Sequence, residues 1–508
     1  MKGALLVCGT HSDAGKSVLT AGLCRWLHRA GVSVAPFKAQ NMALNSVVTA
    51  DGSEIGRAQA MQAAAAGIEP EAAMNPILIK PSGERHSQVV VMGRPYADAD
   101  ARSYQELRHE LRPVVARALA DLRERFDVVI CEGAGSPAEI NLRAADLTNM
   151  GLAHEAGLPV IIVADIDRGG VFASLFGTLA LLNSADQARV AGFVINKFRG
   201  DQAILAPGLT QLEELTGRPT LGVLPYAEDL WMDVEDSLAL ETRPETAPAG
   251  GGETLEVVVI RLRWMSNFTD LDALAAEPGV RVRFTRSPAD VERADLVVVP
   301  GTKATVEDLE RLRATGLAQA LVRRAQAGAP ILGICGGYQI LGEEILDEVE
   351  SGRGAVAGLG LLPVRTVFAP EKLLRRRRGS SPWLGTAAGG YEIRHGRVER
   401  GGGEPVLLAD DGDPDGCRVG MTIGVSWHGM LEHDEHRRAF IGRVAATRGR
   451  RWTPGTRSFA AAREARLDVL GDLVARHLDT ARLMALIEDG VPADLPTITT
   501  EVRSCCAS

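Results

Sequence analysis

Short apolar, β-branched runs alternate with longer stretches of helical spacing from the first residues onward. Ala4–Cys8, Val32–Phe37, Val89–Met92, Asp127–Cys131, Pro159–Ala164 and Val190–Ile195 read as buried strands. Between them, Ser17–Ala30, Ile55–Ala66 and Tyr104–Arg125 are rich in Ala, Leu and Arg and long enough to cross over between parallel neighbours. The pattern predicts an α/β fold with a mainly parallel, doubly wound sheet.

The rhythm breaks between Glu241 and Thr254, where Pro and Gly replace any core-forming run. It resumes with Glu256–Leu262, Val280–Phe284, Leu296–Val299, Ile331–Ile334 and Thr422–Ser426. Residues 1–240 are therefore expected to form one α/β domain, 241–254 a linker, 255–447 a second α/β domain, and 448–508 a helical appendage and tail. Within the appendage, 459–487 has amphipathic helical spacing, and the remaining tail is expected to be poorly ordered. The run Arg375-Arg376-Arg377-Arg378 reads as a solvated loop.

A chain of 508 residues with 45% hydrophobic content exceeds what one core supports, in keeping with this division. The net charge of −9 disfavours nucleic acid as a partner but leaves room for a local basic pocket. The seven cysteines show no CxxC pairing, which excludes the usual zinc and redox frameworks and fits a reducing cytoplasm. No apolar run reaches spanning length, and the apolar start is too short for a secretory signal, so neither a membrane partner nor targeting is expected. The terminal Cys505-Cys506-Ala507-Ser508 fits a prenylation box only formally, having no polybasic flank.

Two segments carry chemistry. Gly9-Thr10-His11-Ser12-Asp13-Ala14-Gly15-Lys16-Ser17 follows a predicted strand and opens a predicted helix, the geometry in which backbone N–H groups converge on phosphates. Its first glycine is one residue early for a strict P-loop. Gly9, Asp13, Gly15, Lys16 and Ser17 are thus candidates to bind ATP, with Lys16 at the β/γ-phosphates and the Ser17 hydroxyl on Mg²⁺. Glu132, just past a strand, and Asp51, in a turn, are the further metal candidates, ahead of Asp165 and Asp167. Asn196 is placed to read the nucleotide base, a structural role being the alternative. No tightly bound prosthetic group is expected.

The second segment, Pro330 to Gln339, is a buried strand ending in a Gly-flanked cysteine before a helix, the thiol form of a nucleophile elbow. Cys335 is the candidate nucleophile, and the N–H groups of Gly336 and Gly301 are candidates for the oxyanion site. The base is expected to be a distant histidine: His428, ahead of His395, His433 and His436.

Long strings make the case sharper: Pro36–Ser46, Glu54–Gln59, Glu132–Asn141, Ala164–Phe172 and Gly192–Asp201. With these, the chain resembles the cobyric acid synthases, glutamine-hydrolysing amidotransferases of the vitamin B12 pathway. The first half is similar to dethiobiotin synthetase, whose phosphate loop carries the same offset glycine. The second half resembles class I glutamine amidotransferases, except that Met430 stands where that class has a Glu two residues after the catalytic His. The resemblance implies that Cys335 and His428 suffice, with Glu432 a candidate orienting acid, and it exposes a local departure at Arg394 in Tyr391-Glu392-Ile393-Arg394.

The resemblance further implies ATP- and glutamine-dependent amidation of the b, d, e and g carboxylates of a corrinoid acceptor, adenosylcobyrinic a,c-diamide. Asp146 is a candidate to position that acceptor, an exposed structural acid being the alternative. A homo-oligomer is left open. The rival readings are an a,c-diamide synthase and a partition-type ATPase switch; the latter has no use for an elbow cysteine.

Overall fold

In the computed structural model, residues 2–84, 86–227 and 253–498 are described. Most of the expected linker, residues 241–252, and the terminal Cys505–Ser508 lie outside the described residues.

The first sheet contains β1 (Gly3–Gly9), β2 (Val34–Phe37), β3 (Val128–Glu132), β4 (Val160–Asp165), β5 (Val190–Phe198) and β6 (Thr220–Pro225). Its order is β6-β5-β4-β1-β3-β2, with every pair parallel. The period-2 alternation of β1 serves a core on each face. Leu6 and Cys8 join one cluster with Phe37 and Phe193, while Leu5 and Val7 join another with Leu19 and Leu23. The chain steps from β1 outward to β2, returns through β3 and then crosses to β4. The sheet's switch point therefore lies between β1 and β4, and ligand-binding loops are expected at the carboxyl ends there.

The predicted strand at 89–92 forms, as Ser87–Val91, but outside this sheet. It pairs antiparallel with Ile77–Pro81 and Arg94–Ala99. Met92 and Gly93 both have positive φ, 46° and 74°, the backbone of a tight hairpin turn, which commits the segment to local pairing.

The second sheet contains β7 (Leu255–Ile260), β8 (Val280–Thr285), β9 (Leu296–Val299) and β10 (Ile331–Ile334). A long hairpin, β11 (Val364–Ser381) and β12 (Thr386–Arg400), precedes the last two strands, β13 (Cys417–Val419) and β14 (Thr422–Val425). The order is β8-β7-β9-β10-β14-β13, antiparallel only at β13. The four-arginine run is not a solvated loop; it lies in β11. Arg377 is buried and paired with Glu392, Asp411 and Asp413, and Arg376 reaches Val48 O and Glu69 of the first domain. The strand can carry these charges because its neighbours neutralise them.

Helix Phe459–His477 leaves the second domain and packs on helix Lys16–Arg29, bringing Leu467, Leu470 and Val474 into the same buried cluster as Leu19, Leu23 and Leu27. A side chain at Gly22 would come within 2.9 Å of Leu470 O, so the two helices approach closely. The segment expected to be loose is tied down as far as Ile498, whose N–H and C=O both bond the Gln187 side chain, at 2.7 and 3.1 Å.

The domains are also joined directly. The Ser46 N–H donates to Asn267 Oδ1 at 2.9 Å, the Phe268 N–H donates to Asn45 Oδ1 at 3.3 Å, and Lys372 of β11 pairs with buried Glu54 at 2.6 Å.

Candidate active sites

Cys335 follows β10 and caps the short helix Gly336–Leu341 with φ 51° and ψ −108°, a conformation that costs energy for any residue other than glycine. The turn needs its glycines. A Cβ on Gly337 would run into Val299 O, and one on Gly336 would lie 2.7 Å from the Thr302 methyl. Gly301 stands opposite, where a Cβ would come within 3.0 Å of the His428 ring. Gly336 thus packs against Thr302, the residue after Gly301, and Gly301 against His428.

His428 follows β14 and is fully buried, close enough to Cys335 to feel its charge, while Cys335 Sγ lies 3.8 Å from Ile393 O. Its Nδ1 lies 2.7 Å from Asp270 Oδ2, and the other Asp270 oxygen accepts from the Gly429 N–H at 2.7 Å. Tyr391 stacks on the ring at 5.5 Å between centroids. Burial pushes the imidazole's pKa down, but the Asp270 carboxylate and Cys335 outweigh it and raise it to about 10. Asp270 thus holds the position that sequence reasoning assigned to Glu432. Glu432 is instead bound to Arg57 and Arg463, at 2.7 and 3.0 Å. Of the competing histidines, His395 lines the Cys335 cavity but is bonded to Ala369 O at 3.0 Å, His436 is bonded to Thr386 at 3.2 Å, and His433 lines a separate cavity.

A cavity of about 40 Å³ adjoins Cys335, room for a few water-sized molecules. Lys303, Glu350 and Arg394 line it from the second domain, and Lys80 from the first. Lys303 is ion-paired with Glu350, and Arg394 with Glu392. The departure at position 394 therefore keeps a cation beside the thiol.

At the other site, β1 leads into the turn that ends at Gly15, with φ 105°, and helix Lys16–Arg29 follows. A side chain at Gly15 would run into Asn196, whose amide donates to Ala14 O at 3.0 Å. Asn196 therefore braces the loop from β5. Asp13 takes positive φ, 62°, and its carbonyl accepts from Lys197 at 2.9 Å. Lys16 Nζ bonds His11 O and Gly135 O at 3.0 and 3.1 Å, folded over the cradle between Gly9 and Gly15.

Ser17 Oγ donates to Glu132 Oε1 at 2.8 Å. Glu132 is fully buried and also meets Lys38 at 2.9 Å and Gln62 at 2.5 Å. Burial would raise its carboxyl pKa; the Lys38 cation and the hydrogen bonds hold it below the usual carboxylate range. A hydroxyl and an ionised carboxylate in contact are hard oxygen donors that suit Mg²⁺ shared with phosphate oxygens. Among the described residues no cluster of three or more His, Cys, Asp or Glu stands ready for a metal, so the remaining ligands would come from nucleotide and water.

Asp51 is not brought to this pair. Its carboxylate accepts from Thr49 and Ser53 within its own turn. Asp146 caps helix Met150–Ala156, accepting from the N–H groups of Thr148, Asn149 and Gly151, each at 2.9 Å, so its visible role is structural. Sequence reasoning missed Lys38 and Gln62 as well as Asp270. Lys38 had left a signal, being a charge directly past the carboxyl end of a buried strand.

No helix among the described residues is long and apolar enough to cross a membrane. Residues 5–239 match the CobQ/CobB/MinD/ParA nucleotide binding domain, and residues 256–436 match the CobB/CobQ-like glutamine amidotransferase domain. A cobyric acid synthase of Frankia casuarinae is 60% identical over 98% of this chain and 99% of its own length. Those of Streptomyces coelicolor and Rhodococcus jostii are 59% and 57% identical over 98% and 99% of this chain, and each is covered over 99% of its own length. With a nucleotide-binding domain and a glutaminase domain in one chain, and identity of this extent along its whole length, the chain belongs to the cobyric acid synthase family.

Proposed function

We propose that the chain catalyses ATP- and glutamine-dependent amidation of the b, d, e and g carboxylates of (adenosyl)cobyrinic a,c-diamide, the cobyric acid synthase step of cobalamin biosynthesis. Residues 1–240 act as the ATP-dependent amidoligase and 255–447 as the glutaminase. The observation that carries the reading is the thiol cavity, which has Cys335 on one wall and Lys80 of the nucleotide-binding domain on another.

Cys335 Sγ attacks the side-chain carbonyl carbon of glutamine as the thiolate, its proton already on His428, which Asp270 holds in orientation. The oxyanion forms between the N–H groups of Gly301 and Gly336. Collapse breaks the C–N bond, His428 returns the proton to the leaving nitrogen as ammonia departs, and water then hydrolyses the glutamyl thioester to glutamate. Lys303, Arg394 and Glu350 offer opposite charges to the zwitterionic end of glutamine.

In the first domain, Gly9, Asp13, Gly15, Lys16 and Asn196 form and brace the phosphate cradle. An acceptor carboxylate oxygen attacks the γ-phosphorus and ADP leaves. Ammonia then attacks the acyl phosphate carbon, releasing inorganic phosphate and forming the carboxamide. Ser17 and Glu132 would hold Mg²⁺, which when bound neutralises charge on the phosphate oxygens.

Mass spectrometry of the corrinoid after incubation with ATP, Mg²⁺ and glutamine counts the amides installed; an unchanged acceptor mass would refute the reading. Cys335→Ala should abolish amidation supported by glutamine and retain amidation supported by ammonium salts.

A further inference from the structure

A second cavity, of about 400 Å³, opens behind Tyr391, the residue stacked on His428, and shares no lining residue with the Cys335 cavity. The first domain, the β11–β12 hairpin and helix Phe459–His477 all contribute to its walls. One wall is apolar, built from Val47, Val48, Ala60, Met61 and Ala64. The remainder is strongly cationic: Arg57, Arg376, Arg377, Arg378 and Arg463 line it against a single acid, Glu432.

These arginines are not equally engaged. Arg57 and Arg463 share Glu432, Arg376 pairs with Glu69 at 3.1 Å, and Arg377 is neutralised by Glu392, Asp411 and Asp413 from outside the lining. Arg378 is exposed, and its side chain makes no ion pair or hydrogen bond among the described residues. A second observation comes from Tyr391, which lines the cavity and is more than nine-tenths buried. Its hydroxyl has no hydrogen-bond partner among the described residues, although buried polar groups are normally satisfied. It also feels the charges of Arg57, Asp270, Glu432 and Arg463, so it stands among ions while bonded to none of them. An unpaired guanidinium and an unmatched hydroxyl are both donors, and they share the space with an apolar wall. Their complement is a ligand with an apolar body and two or more anionic oxygens.

We propose that this cavity binds an organic polyanion, a compact apolar body bearing carboxylate or phosphate groups, and that the bound ligand slows glutamine hydrolysis. The link to the catalytic histidine is short. Tyr391 and His428 exchange backbone hydrogen bonds at 3.0 and 2.9 Å, and Gly429 and Glu432 of the lining begin and end the helical turn that follows His428. An anion that takes Arg57 and Arg463 from Glu432 releases that turn, and with it the backbone that carries the ring. The effect on glutamine rests on the amidotransferase reading above; the binding does not.

The test titrates benzene tricarboxylate and naphthyl phosphate into the full-length protein by calorimetry, with ADP and Mg²⁺ present to fill the phosphate cradle. At least one probe should bind with a Kd below about 1 mM. Arg378→Glu, at an exposed position outside the catalytic machinery, should weaken that binding at least about tenfold, and Tyr391→Phe, which removes only the hydroxyl, about tenfold. The bound probe should lower glutaminase kcat about threefold or more without changing KM for glutamine, whereas Arg378→Glu without probe should keep the parent kcat. Failure of both probes to bind, or binding that neither variant weakens, overturns the site. A rise in KM alone puts the probe in the thiol cavity and overturns it too; unchanged kinetics with the probe bound overturns the regulatory role. A third titration uses the corrinoid acceptor: Arg378-dependent binding of that acid, with neither probe bound, gives the cavity to the amidation substrate instead. A parent protein that hydrolyses no glutamine refutes the amidotransferase reading, and the binding result is unaffected by it.

Discussion

Asp270 Oδ2 lies 2.7 Å from His428 Nδ1, and the same carboxylate holds the Gly429 N–H, so one acid fixes both the ring and the backbone that carries it. It reaches the histidine from 158 residues upstream, unlike the nearby Glu of class I enzymes. Replacing it with Asn should leave the fold intact and release the ring from its orientation and its charge partner. Glutaminase kcat is expected to fall on the order of 10²–10⁴-fold, as for other buried carboxylates that orient a catalytic histidine. Amidation from ammonium chloride should persist, which separates this effect from general damage.

The His428 pKa stands at about 10, against 6.5 for an ordinary histidine. A folded-state pKa raised in this way adds stability that is complete below about 6.5 and disappears as pH rises through about 10. Thermal denaturation followed between pH 7 and pH 10.5 should show a falling Tm that Asp270→Asn largely removes. The alkaline limb of the glutaminase pH profile should move down in the same variant.

Lys16→Ala should affect the other site alone. Loss of the cradle's cation is expected to lower amidation from both glutamine and ammonium chloride on the order of 10²-fold or more, while glutamine hydrolysis at Cys335 continues. Parallel assays of glutamate and corrinoid amide check this.

Glu54 anchors two lysines, one from each domain. Burial favours its protonated form, but Lys372 and Lys80 outweigh this and hold its carboxyl well below the usual 4.5. Its contribution is therefore present at neutral pH and lost as pH falls through its lowered folded-state pKa. Glu54→Gln leaves buried cations uncompensated and should cost about 3–5 kcal/mol in denaturant unfolding. Adding Lys372→Met should recover part of that loss, a coupling that a double-mutant cycle measures.

Much of this was legible in the sequence because the signals were local. The strands of both parallel sheets announced themselves as short apolar runs, and the elbow at Cys335 and the loop at Gly9–Ser17 were each contained in a few consecutive residues. The failures were long-range. Nothing near Asp270 hints at a histidine far downstream, and Glu432 was attractive only because it is close to His428 in sequence. The arginines of β11 looked solvated because their neutralising partners, Glu392, Asp411 and Asp413, come from other strands and loops. Asp51 and Asp146 had the right residue type in plausible loops, but their oxygens were already claimed by adjacent groups.

The docking of helix Phe459–His477 onto helix Lys16–Arg29 has a consequence for biogenesis. The flank around Gly22 gains its cover from Leu470 and Val474 only after about 450 further residues have left the ribosome, roughly 20–90 s at ordinary translation speeds. During that interval the nascent N-terminal lobe presents a sticky strip to its surroundings. Newly made polypeptide should therefore depend on chaperones until its final helices emerge.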